Sequence, residues 1–194
     1  MNPRSDAIRL EPQHIEFADR LGTKRQDFNL AKGKKAKFYR GTPEESLWFD
    51  IMGARAECAF YLWMRPIFWN RYWDGEHKLL PDFDCFIDVK GRDRPGDDIF
   101  VHEKDAADWA FVLVSVRKHP IYSIIGWRWA SDVQRPEYLD PKHRQPDEDV
   151  LYRIGPPHRS PADLIDVLWQ REMADDIYAP YPSSSTTQIQ PLTT

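Results

Sequence analysis

A short stretch in the middle of the chain combines strand-forming apolar residues with carboxylates and one lysine. It reads Pro81-Asp82-Phe83-Asp84-Cys85-Phe86-Ile87-Asp88-Val89-Lys90-Gly91. Its second half, from Ile87 to Lys90, is typical of a β-strand. Because side chains alternate between the two faces of a strand, Asp88 and Lys90 share one face, while Ile87 and Val89 share the other. One face is therefore apolar, and the other carries a carboxylate and an ammonium.

The polar face has the chemistry needed to hold a divalent cation beside a phosphate. Mg²⁺ prefers oxygen ligands, and it commonly takes one or two carboxylates together with water and phosphate oxygens. A neighbouring ammonium can position the attacking water or stabilise negative charge that develops on the phosphate. A surface strand with an ordinary Asp/Lys pair has the same spacing, so the pattern alone leaves both interpretations open.

The composition indicates a protein that does not enter membranes. The chain has 194 residues and a formal charge of -4, and neither Cys58 nor Cys85 has metal-ligand spacing with another Cys or His. A disulfide framework and a zinc ribbon are therefore not expected. There is no secretory signal and no apolar run of about 20 residues, so we expect a cytoplasmic protein. We predict a flexible N-terminus over residues 1–10, one domain over residues 11–179 and a disordered tail over residues 180–194.

Cationic residues cluster before Thr42, although the chain is acidic overall. They are Lys24, Arg25, Lys32, Lys34, Lys35, Lys37 and Arg40. Asp27 is the single acid among them. This segregation of charge is typical of a surface that contacts phosphates, and a solvated lysine-rich segment is the alternative. The rings of Phe28, Phe38 and Tyr39 interleave with the cations and favour a nucleic acid, because aromatic side chains can stack on bases.

Apolar periodicity predicts two helices before the central stretch. The first spans Pro12 to Gly22, with Gly22 as its C-terminal stop, and a turn follows at Thr42-Pro43-Glu44-Glu45. The second spans Gly53 to Arg65, with Asp50 as its N-cap, and small alanines would let it lie close to a sheet. Glu57 lies on this helix. It either reaches a partner or faces water and pairs with Arg55 or Arg65.

Further strands and one more helix complete a predicted α/β domain with a central mixed sheet. The predicted strands are Ile67–Trp73, Ile99–Val101 and a hairpin of Trp109–Val116 with Ile121–Trp129, and a short apolar island lies at Val150–Ile154. The hairpin is the clearest β signal, because its first strand is apolar almost throughout, as expected of a strand that is covered on both faces. Ser160 and Pro161 are typical of a helix start.

The order of these elements resembles the PD-(D/E)xK nuclease superfamily. Pro81-Asp82 and Asp88-Val89-Lys90 match its signature, and Glu57 has the place of its helix glutamate. The segments Asp50–Glu57, Ile87–Lys90, Phe111–Val114 and Ile125–Trp127 look more closely like uncharacterised phage and prophage proteins assigned to that superfamily. The likeness runs from about Arg25 to Ile154. It implies a restriction-endonuclease-like core, in which a central mixed β-sheet is flanked by helices.

The resemblance also implies roles for the acidic residues. Asp88, Asp82 and the carbonyl of Val89 would bind Mg²⁺ or Mn²⁺, Glu57 would bind a second ion or orient water, and Lys90 would position the nucleophile. The gap between Asp82 and Asp88 is short for this superfamily. The turn between their strands must therefore be tight, and Asp84 is an alternative ligand to Asp82.

The function implied by the resemblance is metal-dependent cleavage of DNA, with the basic segment gripping the backbone. Nucleases of this fold often pair to cut both strands, so a homodimer is also compatible with it. A phage-encoded member would act in the host cytoplasm. The alternative is a protein that keeps the fold without catalysis and binds a nucleic acid or a host protein.

Overall fold

The computed structural model of the protein describes residues 6–31, 42–65, 83, 86–93, 98–140, 150–156 and 158–178. The helices are α1 (Pro12–Ala31), α2 (Pro43–Met64), α3 (Ala130–Val133) and α4 (Pro161–Tyr178). The strands are β1 (Ala7–Arg9), β2 (Ile87–Arg92), β3 (Ile99–His102), β4 (Ala110–Lys118), β5 (Ile121–Trp129) and β6 (Leu151–Ile154). The chain divides into two compact units, Met1–Pro161 and Ala162–Thr194.

A mixed sheet lies at the centre of the first unit. Its strand order is β1-β5-β4-β2, with β2 parallel to β4 and the other neighbours antiparallel. This confirms the predicted α/β class with a mixed sheet, the strand at Ile87 and the apolar hairpin. The strand predicted at Ile99 also exists, but β3 pairs with β6 in a separate sheet. The restriction-endonuclease-like core stays a prediction.

The N-terminal region contains a strand and a helix that is longer than predicted. Ala7–Arg9 forms β1 and pairs with β5, and the flexibility of residues 1–10 stays a prediction. Helix α1 does not stop at Gly22 but continues to Ala31. The glycine has a different purpose, because a Cβ built on Gly22 would lie 2.6 Å from Cα of Ile51 in α2. It permits close approach of the two helices.

The N-cap of helix α2 is Thr42 rather than Asp50. The Thr42 hydroxyl accepts a hydrogen bond from the Glu45 backbone N–H at 3.3 Å, and the Glu45 carboxylate accepts one from the Thr42 N–H at 2.9 Å. This reciprocal capping box, with Pro43 in the first turn, stabilises a helix start at the place where we predicted a turn. The predicted helix Gly53 to Arg65 is therefore the C-terminal half of a longer one.

The packing of α2 against β2 assigns the two faces of the sheet. A Cβ built on Gly91 would lie 3.1 Å from the Ala56 Cβ, so the predicted close approach of the alanine-rich helix is confirmed. Ile87 and Val89 share this face by alternation and are buried. Asp88, two residues from Lys90, therefore points to the face away from α2.

Part of that second face is covered by an apolar cluster. The cluster contains Phe111 and Leu113 of β4 together with Ile99 and Val101 of β3 and Ile154 of β6. The small β3-β6 sheet therefore packs over the half of the central sheet that carries Asp88. Trp127 is also fully buried, and its ring lies edge-on to Trp129 with centroids 4.9 Å apart.

Two predicted features lie outside the described residues. They are the strand Ile67–Trp73 and the tail over residues 180–194. The helix predicted after Ser160 is confirmed as α4, with Leu164 and Leu168 buried on one side of it. Among the helices within the described ranges, none combines the length and the apolar character needed to cross a membrane.

Two glycines on the paired helices give a matched test of the α1-α2 contact. We expect Gly22→Ala to lower the free energy of unfolding by about 1–3 kcal/mol because the new methyl group overlaps the α2 backbone. Gly53→Ala has no atom within 4 Å of the new Cβ, so we expect it to raise stability by about 0.5–1 kcal/mol through helix propensity. Denaturant unfolding measures both values. A stabilised Gly22→Ala protein would contradict the close approach.

Candidate functional site

The Asp88 and Lys90 side chains form a close ion pair on β2. The Lys90 ammonium nitrogen lies 2.7 Å from Asp88 Oδ1 and 2.8 Å from Oδ2. The side chains are 18% and 31% exposed, respectively. The ammonium also lies 5.3 Å from the centre of the Phe111 ring, and Phe111 is the β4 neighbour of Asp88. The predicted same-face geometry is therefore present, with a partly solvated carboxylate beside a positioned cation.

A second cationic residue follows on the same face. The Arg92 guanidinium lies over the Phe100 ring, 4.9 Å from its centroid, and its Nε donates to the Asp98 carbonyl at 3.3 Å. Arg153 of β6 approaches the same ring and pairs with the Asp98 carboxylate. Burial lowers the pKa of Arg92, and nearby carboxylates, Asp98 foremost, oppose that shift. Arg92 of β2 and Arg153 of β6 thereby place two guanidinium groups around the Phe100 ring, beyond Lys90.

The approach to β2 is a tight turn, as the short gap before Asp88 predicted. Phe83 and Ile87 exchange backbone hydrogen bonds of 3.0 and 2.9 Å. The buried Phe83 ring packs edge-on against Phe60 of α2, with centroids 5.2 Å apart. Asp82 and Asp84, the candidate ligands on either side of Phe83 in sequence, lie outside the described residues.

The Glu57 side chain forms an ion pair with a residue of α1. Its two carboxylate oxygens each accept a hydrogen bond of 2.5 Å from the Arg25 guanidinium of α1. The two side chains are only 5% and 15% exposed. Of the two alternatives left open for Glu57, the structure has it reaching a partner, and Arg55 instead makes a bidentate pair with Asp19 at 2.6 and 2.7 Å. Two arginine-carboxylate pairs of opposite polarity thus join α1 to α2.

Glu57 and Asp88 have different partners among the described residues, Arg25 and Lys90, and their meeting at one metal ion stays a prediction. Glu57 lies on the helix that covers one face of β2, and Asp88 points from the opposite face. Across the described ranges, no group of three or more His, Cys, Asp or Glu residues could hold a metal ion. β2 is an edge strand of the central sheet, so a side chain of α2 could reach the Asp88 face only around that edge.

The two ion pairs differ in the free energy needed to open them. A partly exposed pair such as Asp88 with Lys90 typically contributes about 0–1 kcal/mol, because water solvates the separated charges. Removal of one partner from a buried pair costs about 3–5 kcal/mol, because the other charge is left without compensation. Glu57 is therefore committed to holding α1 on α2, whereas the Asp88 carboxylate can exchange its partner.

The other buried reactive groups are not suited to nucleophilic chemistry. Burial, with a smaller contribution from the Glu57 charge, raises the pKa of the Cys58 thiol to about 12. Burial also raises the pKa of Tyr122, whose hydroxyl lies 2.8 Å from Nδ1 of His119. Both groups therefore stay protonated near neutral pH, and a protonated thiol is a poor nucleophile.

The basic segment is only partly within the described residues. Lys24 is exposed on α1, whereas Arg25 is 15% exposed and pairs with Glu57. The contact of these two residues with nucleic acid stays a prediction. The remaining predicted contacts, Lys32, Lys34, Lys35, Lys37 and Arg40, lie outside the described residues.

Sequence reasoning missed the contribution of Arg92 and Arg153. Arg92 could have been found, since it is two residues beyond Lys90 and alternation places it on the same face. Arg153 could not, because its proximity depends on the pairing of β6 with β3.

Comparisons of the chain with models of protein families, with curated proteins and with solved structures gave no match. The arrangement of the side chains is therefore the basis for assigning a function.

The buried pair gives a test of the structural role of Glu57. We expect Glu57→Gln to lower the free energy of unfolding by about 3 kcal/mol, because Arg25 would lose its compensating charge. Glu16→Gln is the matched control, since Glu16 faces Arg20 at 3.9 Å with both side chains 72% exposed. We expect that change to alter stability by less than about 0.5 kcal/mol. Urea unfolding measures both. Equal stability of the two variants would show that the Glu57 pair is not structural.

Proposed function

We propose that the protein is a metal-dependent phosphodiester hydrolase acting on DNA, with its reactive centre on the Asp88 face of β2. The observation that supports the proposal is the contact of both Asp88 oxygens with the Lys90 ammonium, at 2.7 and 2.8 Å, on a partly exposed strand face. A carboxylate next to a fixed ammonium is the minimum needed to hold a cation and to steady a phosphate beside it.

The donor set fits Mg²⁺ or Mn²⁺ in part. Both Asp88 oxygens point to a side chain that can move away, and hard cations often take only one or two protein carboxylates, with water and phosphate supplying the rest. Asp82 or Asp84 would provide the second carboxylate, and the Val89 carbonyl is a further candidate. A bound cation would supply hydroxide near neutral pH and offset the charge of the phosphodiester.

Each protein residue at the centre has a defined task. Asp88 holds the cation and, before it binds, keeps the Lys90 side chain in place. Lys90, restrained over the Phe111 ring, orients the attacking water and stabilises charge on the phosphate in the transition state. Glu57 is not a ligand in this proposal. It fixes α1 on the helix that supports the opposite face of β2, so it acts on the site only through the fold.

A second candidate is a nuclease-fold protein without catalysis that binds a nucleic acid or a host protein. The observation that favours it is that both candidate metal ligands within the described residues form ion pairs, Asp88 with Lys90 and Glu57 with Arg25. Pairing of two copies to cut both strands belongs to the hydrolase proposal only. The two candidates therefore differ in cleavage rather than in binding.

Cleavage of supercoiled plasmid, linear duplex and single-stranded DNA with Mg²⁺ or Mn²⁺ tests the hydrolase. We expect Asp88→Asn and Lys90→Met each to lower the rate by about 100-fold or more, because each removes a group that stabilises the transition state. We also expect a similar loss from one of Asp82→Asn and Asp84→Asn, which would identify the second ligand.

Asp132→Asn is the matched control, because Asp132 is also ion-paired, to Arg159 at 2.9 Å, and is 20% exposed. It should cleave at the wild-type rate. Equal cleavage by all variants would identify a contaminating nuclease. No cleavage by the folded wild-type protein on any DNA form would reject the hydrolase in favour of the second candidate.

A further inference from the structure

Arg92, at the end of β2, is a half-buried arginine that is held by neutral groups. Its Nε donates to the Asp98 carbonyl at 3.3 Å, and its Nη1 donates to the Gly91 carbonyl at 3.2 Å. The guanidinium lies over the half-buried Phe100 ring, 4.9 Å from its centroid. Among the described residues, no carboxylate accepts a hydrogen bond from this guanidinium.

The Asp98 carboxylate is paired with a different arginine. Nε of Arg153 donates to Asp98 Oδ2 at 2.7 Å, and Nη2 of Arg153 lies 2.5 Å from the same oxygen. Arg153 is the register partner of Phe100, and its guanidinium lies 5.7 Å from the ring centroid. The two arginines thus share one ring and one aspartate, with its carboxylate used by Arg153 and its carbonyl by Arg92. Two guanidinium groups with one carboxylate leave an excess of positive charge.

Arg55 shows how a buried arginine is compensated in the same protein. It makes a bidentate pair with Asp19, and the hydrogen bonding to Asp19 raises the pKa of Arg55 despite burial. At Arg92, burial lowers the pKa, although carboxylates, Asp98 foremost, act against the shift. The charge of Arg92 is therefore not fully offset by carboxylates. An anion in contact with the guanidinium would reduce the free-energy cost of its burial.

Arg92 lies on the same face of β2 as the candidate reactive centre. Gly91 faces Ala56 of α2, so alternation directs Arg92 to the opposite side, with Asp88 and Lys90. Arg92 is about 7 Å from Lys90 along the strand, two residues at about 3.3 Å each. A guanidinium is a planar fork that can donate two parallel hydrogen bonds to a phosphate. A phosphate at Arg92 and a phosphate at Lys90 can therefore belong to one short piece of polynucleotide.

We propose that Arg92 binds a phosphate of a nucleic-acid strand beyond the phosphate that is cleaved. The proposal rests on the proposed function, because it places a second part of the substrate next to Lys90. Phe100 holds the plane of the guanidinium by stacking, and Arg153 keeps the Asp98 carboxylate from pairing with it. A substrate with several phosphates is therefore favoured over a single phosphodiester.

Binding of a short labelled single strand of DNA to the full-length protein in EDTA tests the contact without cleavage. We expect Arg92→Gln to lower the slope of log affinity against log salt by about 0.7–1, because the variant neutralises one phosphate fewer. Arg159→Gln is the matched control. Arg159 also lies over a ring, 5.0 Å from the Trp127 centroid, but it pairs with Asp132. The control should keep the wild-type slope.

A second variant at the same position keeps the charge. Arg92→Lys loses the planar fork, and we expect it to keep the wild-type slope while it lowers the affinity about 10-fold. Melting curves check that each variant is folded. Free phosphate presents the same oxygens as the strand, so inorganic phosphate is titrated into the protein separately.

Four results would overturn the proposal. They are an unchanged slope in the folded Arg92→Gln protein, wild-type affinity in Arg92→Lys, no binding of the strand by the wild type, and inorganic phosphate bound as tightly as the strand. The last result would identify a site for the free ion instead of one for nucleic acid. An equally lowered slope in Arg159→Gln would also overturn it, because the effect would then be one of general charge.

Cleavage measured on the same variants distinguishes the phosphate contact from the hydrolase. The substrates are the strand and bis(p-nitrophenyl) phosphate, which has a single phosphate. We expect Arg92→Gln to lower kcat/KM for the strand about 10-fold more than for the small diester. Strand binding that depends on Arg92 without any cleavage would reject the hydrolase and support the contact. Metal-dependent cleavage of the strand that is lost in Asp88→Asn and equal in Arg92→Gln and the wild type would do the reverse.

Discussion

Close contact between Ala56 of α2 and Gly91 of β2 is the constraint on which the rest of the structure depends. A Cβ at Gly91 would lie 3.1 Å from the Ala56 Cβ, so the strand and the helix approach too closely for a larger side chain at either position. That contact commits alternate residues of β2 to the helix. The intervening residues Asp88, Lys90 and Arg92 must then face the other way. A single packing contact thus decides which charged groups meet.

The same contact places the ion pairs that join the helices on one side of β2 and the candidate reactive residues on the other. On the helix side, Arg25 and Glu57 join α1 to α2 through a buried bidentate pair, and Asp19 and Arg55 do so again with the charges exchanged. Side chains on a helix lean toward its N-terminus. In the antiparallel pair α1 and α2, long side chains therefore reach toward each other across several residues of offset. The Glu57 carboxylate, for which the resemblance implies a role at the metal site, pairs with Arg25 between two helices.

Local patterns in the sequence predicted the elements better than their partners. Alternation identified the faces of β2 and the apolar hairpin of β4 and β5, because both follow from side-chain periodicity alone. The pairing of Ile99 with Ile154 joins residues that are far apart in the chain, and no local signal specifies it. The partner of Glu57 was missed for the same reason. Arg25 is 32 residues away in sequence, whereas Arg55 and Arg65 are near Glu57 in sequence.

Two further errors in the predicted helix ends had local causes. Glycine is common both at helix ends and where two backbones touch, and only the contact with Ile51 distinguishes these uses at Gly22. Thr42 and Glu45 carry the spacing of a capping box, but the proline between them also fits a turn.

The partly exposed Asp88 pair has little to contribute to stability, and this argues for a role in binding. An ion pair at such a site stabilises a fold by about 0–1 kcal/mol, and an aliphatic strand face under the β3-β6 sheet would serve packing at least as well. The next position on the same face of β2 is Arg92, and its neighbour on β4 is Ser115, so this part of the strand face stays polar beyond the ion pair. A negatively charged ligand would explain why β2 carries charge where apolar side chains would serve packing.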